Sequence, residues 1–224
     1  MIKTLLTLEL LDEDYKLLER REQRSRSWLR HFFDLWYILL GNTTNTLAGI
    51  SDIGGTGRAL GATISTNRTP SPNLSVGAPP GNIGALVFAQ TSSISVCYLG
   101  AFPCSGDTLG IVVGTNNTVV TPTDNALYAK VAHGEGAGQL LHSGCEIYGL
   151  TFANPNGSMN IRRYFTNVAG GAITIQEVGI YSPGYSSGGS TGYIFCICRD
   201  VVSPGVAINN GQILSVVYTV QITV

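Results

Sequence analysis

Ile213-Leu214-Ser215-Val216-Val217-Tyr218-Thr219-Val220-Gln221-Ile222 closes the chain on a strict alternation. Leu214, Val216, Tyr218, Val220 and Ile222 share one face; Ile213, Ser215, Val217, Thr219 and Gln221 share the other. A side-chain period of two is that of a β-strand, and the wholly apolar face is the one that turns to a core. Asn209-Asn210-Gly211 just before it is turn chemistry, so Tyr193 to Cys198 further upstream belongs to another strand of the same body.

Working back from this end, the same signals recur. Glu146 to Phe152, Met159 to Thr166 and Ile173 to Ile180 read as strands, with Asn167 to Gly171 as a turn. Ile173 and Ile175 have the opposite parity to Val178 and Ile180, which predicts a bulge near Gln176-Glu177. Ile111 to Val113 and Thr118 to Val120 flank Gly114-Thr115-Asn116-Asn117 and predict a hairpin; Asp124 to Ala132 predicts a short helix capped by Thr123 or Asp124. Ser93 to Tyr98 alternates as well. Strands at this spacing predict a mainly β fold, a β-sandwich or jelly-roll-like domain over residues 93–224.

The front of the chain is different. Charged residues make up 12% of the whole against about 25% in an average soluble domain, yet about half of them fall in the first 37 residues. Leu11, Tyr15, Leu18, Leu29, Phe32, Trp36 and Leu39 keep a three-four spacing, and Asp12–Lys16 and Glu22–Arg26 are favourable pairs four apart. The spacing predicts an amphipathic N-terminal helix over 1–40, with Gly41 past its end, serving assembly or anchoring. Trp28, Phe32, Phe33, Trp36 and Leu39 are its expected assembly contacts. Residues 41–92, rich in Gly, Thr, Asn, Ser and Pro, read as an extended arm or linker, with Thr63 to Ser65 as a possible short strand.

Composition narrows the partners. A net charge of −1 and one diluted arginine cluster give nucleic-acid phosphates little to bind. The weak signal-peptide character around Lys3 and Glu9, and the lack of a run of about 18 uncharged apolar residues, give no expectation of a membrane span. The five cysteines, an odd number, read as buried thiols, with Cys196 and Cys198 on one strand face. No cofactor, metal or catalytic residue is expected. The nearest approach to a site is His133, Glu135 and His142, which one turn or strand face would gather. Asp124 and Glu177 are imaginable as paired carboxylates, but Glu177 beside Arg162, Arg163 or Arg199 is the simpler reading. Tyr181, Tyr185 and Tyr193 form a possible ligand platform for sugars or a receptor.

Three stretches carry a resemblance. They are Thr121-Pro-Thr-Asp-Asn-Ala-Leu127 through His133-Gly-Glu-Gly-Ala-Gly-Gln-Leu140; Arg163-Tyr-Phe-Thr-Asn167 through Ile175-Gln-Glu-Val-Gly-Ile-Tyr181; and Arg199-Asp-Val-Val202 through the turn to the closing strand. Together, over about residues 108–224, they resemble the β-sandwich virion structural proteins of tailed bacteriophages found as decoration, neck and fibre components. The resemblance implies a place in the virion and no catalysis. The expected partners are copies of the chain itself, as a trimer, and other virion proteins such as capsid, portal or tail.

Overall fold

The computed structural model describes residues 2–25, 27–40, 46–61, 106–185 and 192–223. Their elements, in order, are β1 (Ile2–Leu11), β2 (Leu17–Ser25), α1 (Arg30–Leu40), β3 (Thr46–Ser51), β4 (Gly57–Gly61), β5 (Gly110–Gly114), β6 (Leu141–His142), β7 (Glu146–Ala153), β8 (Asn156–Thr166), β9 (Ile173–Tyr185), β10 (Gly192–Ile208) and β11 (Ile213–Thr223). The fold is mainly β, in antiparallel sheets. The large one runs β2-β1-β11-β8, with β6 and β7 sharing the far side of β8; a second runs β10-β9-β5; β3 and β4 make a third. Among the described residues no helix is long and apolar enough to cross a membrane.

The closing strand behaves as its alternation predicts. β11 lies between β1 and β8, and Leu214, Val216 and Tyr218 are fully buried. They join Ile161 and Phe165 of β8 and Ile111, Val113, Ile175, Val178, Ile180, Phe195 and Ile197 of the second sheet in one apolar cluster. The turn at Gly211 has φ 82°, the left-handed conformation its Asn-Asn-Gly sequence suits. The parity break in β9 is present too. Ile175 and Val178 reach the same cluster, and opposite Gln176 the β10 register slips between Val201 and Val206.

The first 25 residues correct the helix expectation. β1 pairs with β11 over its whole length, Ile2 to Ile222 through Leu11 to Ile213, so the N-terminal segment is part of the body and not a separate 1–40 unit. Leu6, Leu8 and Leu10 alternate with Thr7 and Glu9, and that period of two prevails over the three-four spacing. Each leucine enters the shared cluster, worth about 2 kcal/mol apiece. β2 carries Glu19, Arg20, Arg21, Glu22 and Arg24 because it is an edge strand, where charged side chains keep other strands from adding on. Between β1 and β2, Asp12 Oδ1 accepts the amides of Asp14 (3.0 Å) and Lys16 (2.8 Å), and Tyr15 takes φ 62°, a tight turn where a helix was expected.

Among the described residues, helix is confined to α1. Its buried face is not left for a partner: Leu35 enters the main cluster and His31 Nδ1 lies 3.2 Å from the Cys196 carbonyl. Trp28, just ahead of α1, and Phe32 pack against the same cluster, with the Trp28 indole donating to Thr4 Oγ1 at 3.1 Å. These two expected assembly contacts are therefore used inside the chain. Phe33 is exposed. The side chains of Trp36 and Leu39 lie outside the described residues, as do Thr63 to Ser65 and Ser93 to Tyr98. Part of the expected arm, residues 46–61, is the β3–β4 hairpin.

Two local readings in the middle also change. Residues 118–120 form no hairpin with β5, whose sheet partner is β9. Asp124 to Ala132 form turns and no helix, for a reason that belongs to the site below.

Candidate functional site

The loop from Thr115 to Lys130 covers one face of the second sheet, and a buried ion cluster holds it there. Arg199 of β10 is fully buried. Its Nε donates to Glu177 Oε2 of β9 at 2.8 Å, its Nη1 to Asp124 Oδ2 at 2.9 Å, and its Nη2 to the Thr118 carbonyl at 3.0 Å. The guanidinium also stacks 4.6 Å over the Tyr128 ring. Glu177 then accepts the amides of Tyr128 (3.2 Å) and Ala129 (2.8 Å), and Tyr181 Oη accepts that of Leu127 at 3.0 Å. The Tyr128 and Ala129 amides are ones a helix over 124–132 would need for its own turns. The sheet satisfies them, so the segment stays irregular. Asp124 turns back to accept Thr121 N and Oγ1 at 3.0 and 2.5 Å.

Two glycines permit the close approach. A Cβ on Gly179, within the Glu-Val-Gly-Ile-Tyr run, would come 2.4 Å from Leu127 Cδ1 and 2.9 Å from the Cys198 carbonyl. One on Gly114 would meet Glu177 Oε1 at 2.5 Å and the Ala129 carbonyl at 2.6 Å. Of the three arginines considered for Glu177, Arg199 is its partner, and Asp124 and Glu177 do meet, but around that arginine. With a cation between them and almost no water they are a clamp, not an acid–base pair.

Arg163 of β8 is a second buried arginine, with its hydrogen bonds on backbone carbonyls: Ser143 (2.8 Å), Leu109 (3.0 Å), Ile111 (2.8 Å) and Gly106. It ties the large sheet to the start of β5. Burial lowers its pKa to about 10, still charged at neutral pH.

His133 and His142 do come together, 5.5 Å between ring centroids, and His133 Nδ1 accepts the His142 amide at 3.0 Å. His142 is buried against Phe165, with Nδ1 3.1 Å from the Gly106 carbonyl. Burial, and then the Arg163 charge, push its pKa down to about 3. Among the described residues its Nε2 has no hydrogen-bond partner. Glu135 is exposed on the turn between them. Among the described residues no three His, Cys, Asp or Glu side chains are placed to hold a metal ion.

The tyrosine platform does not form as expected. Tyr181 is buried, its phenol committed to Leu127; Tyr193 sits under the Arg58 guanidinium at 4.2 Å; the Tyr185 side chain lies outside the described residues. Cys145, Cys196 and Cys198 are buried. Cys196 and Cys198 serve different clusters, because the β9–β10 register shifts between them. Cys97 and Cys104 lie outside the described residues.

What the motif reading missed is the exposure of the β7–β8 hairpin, whose two strands it had placed. Every residue of β7 after Glu146 is exposed, on both faces of the strand. Phe152 is 79% exposed, Leu150 66% and Ile147 49%. On the other side of the strand Arg162 pairs with Glu146 and stacks between Tyr148 and Tyr164, at 4.5 and 4.9 Å. The apolar composition of β7 was visible in the sequence; that nothing in the described chain covers it was not. Comparison of the chain with protein-family models, with curated proteins and with solved structures finds no match.

Proposed function

We propose that the chain is a non-enzymatic structural protein of a tailed-bacteriophage virion: a β-sandwich subunit that assembles as a symmetric oligomer in a capsid decoration, neck or fibre. The observation that carries this reading is β7, a strand paired to β8 with Ile147, Leu150 and Phe152 exposed. A strand with so much apolar side chain exposed is the surface of a subunit whose neighbours complete it. The resemblance over residues 108–224 supports the same reading. Its Glu177, Gly179, Tyr181 and Arg199 are the residues that clamp the loop, a framework role with no substrate in it.

Anchoring through an N-terminal helix is no part of this proposal, since β1 and β2 belong to the large sheet. The test is the composition of the particle. Mass spectrometry of purified virions made from a genome encoding this chain should find it at a fixed copy number that fits the particle's symmetry. Its absence from intact particles removes the virion reading.

A further inference from the structure

The two edges of the large sheet differ in how they meet solvent. On β2, Glu19, Arg20, Arg21, Glu22 and Arg24 guard the edge, and Arg21 and Gln23 are tied to the β10 carbonyls of Pro204, Gly205 and Val201. On the opposite edge, β7 has a single charge, Glu146, already paired with Arg162. Strand edges without charged guards add further strands.

The sequence of β7 complements itself. Between Tyr148 and Thr151 the β7–β8 register shifts by one residue, with Gly149 at φ 65°. Ile147 is therefore paired with Ile161, and Phe152 with Gly157, residues four apart on β8 and so on one face. Lay a second β7 antiparallel beside the first, centred between Gly149 and Leu150. Ile147 then meets the partner's Phe152, Tyr148 meets the partner's Thr151, and Glu146 meets the partner's Ala153. Every pair lies on a common face because the bulge has reset the parity. The two Glu146 carboxylates end roughly 24 Å apart along the strands, so no like charges oppose each other. A regular strand without the bulge would put Ile147 and Phe152 on opposite faces and spoil the match.

We infer that the β7 edge is a two-fold interface, in which a second copy of this chain extends the large sheet by antiparallel β7–β7 pairing. The inference rests on the reading of the chain as an assembling subunit, though not on the virion. It assigns a two-fold contact in place of the three-fold order expected from the sequence. An isologous contact of this kind closes at two copies and leaves only the charged β2 edges at the two ends of the sheet.

The experiment uses the full chain. Sedimentation velocity over a concentration series should show a monomer–dimer equilibrium, and Leu150→Lys with Phe152→Lys should weaken it about tenfold or more. Register is read separately, by mixing Ile147→Cys protein with Phe152→Cys protein under mild oxidation and identifying the linked peptides by mass spectrometry. The disulfide should join position 147 of one copy to position 152 of the other, and form far less in either variant alone. A chain that stays monomeric throughout the series overturns both this inference and the assembling-subunit reading. An oligomer unaffected by the lysine pair, or cross-linked in another register, overturns the β7 contact alone.

Discussion

The loop over the second sheet and the hairpin of the large sheet invert the usual association of regularity with anchorage. Residues 115–130 have no regular structure, yet a buried arginine, two carboxylates and a tyrosine hydroxyl hold them. The β7–β8 hairpin is laddered on both sides of one bulge, yet neither face of β7 is covered by the described residues. The loop's polar groups are met by its own chain; the hairpin's apolar side chains are met by nothing among the described residues. Buried charge is costly unless every lone pair is met, so it appears where the chain can supply all the partners itself. Bare apolar surface of this extent is uncommon on a subunit that stands alone.

The most severe way to break the pinned side is Arg199→Met. It leaves Glu177 and Asp124 buried without their cation, and the expected loss is about 3–5 kcal/mol in urea unfolding. A loss under about 1 kcal/mol would mean water reaches the clamp as the hairpin's surface is reached.

Acid is the next lever. His142 is held neutral in the fold, with a pKa of about 3 against an ordinary value near 6.5. The unfolded chain therefore binds the extra proton as pH falls below about 6.5, and stability drops until about pH 3, by up to 1.4 kcal/mol per unit, roughly, from this group. Above pH 6.5 both states are neutral and the contribution is flat. Unfolding free energies of wild type and His142→Phe across this range should converge toward acid if the wild type is the more stable at neutral pH.

Gly179→Ala sharpens the comparison on a smaller scale. The added methyl has to displace Leu127 and press on the Cys198 carbonyl, so a cost of about 1–3 kcal/mol is expected. The hairpin should give the opposite result. Phe152→Lys should change the stability of the dilute monomer by no more than about 0.5 kcal/mol, because its ring has little burial to lose.

The legible parts of this fold were those where one face is buried and the period is clean. Leu214, Val216 and Tyr218 announced β11, and the parity break at Gln176-Glu177 announced the slip in β9. The N-terminus was misread because two patterns overlap there. Leu11, Tyr15 and Leu18 mimic a helical stripe while Leu6, Leu8 and Leu10 alternate, and a charged edge strand has no buried face to declare itself. The clamp was half visible. Glu177 next to an arginine followed from charge scarcity, but Asp124, Tyr128 and Ala129 reach the same spot through tertiary packing that no local pattern encodes. The tyrosine platform failed similarly, since Tyr181 in Glu-Val-Gly-Ile-Tyr is read equally well as surface ring or buried hydroxyl until its partner, the Leu127 amide, is located.

Hydrogen exchange as a function of protein concentration tests the contrast most directly. The amides of Leu127, Tyr128 and Ala129, bonded to Tyr181 and Glu177, should be protected to the same degree in dilute and concentrated samples. Those of Ile147 to Phe152 should gain protection only as copies associate. If β7 exchanges at one rate across the whole concentration range, the hairpin is not where this molecule meets its own kind.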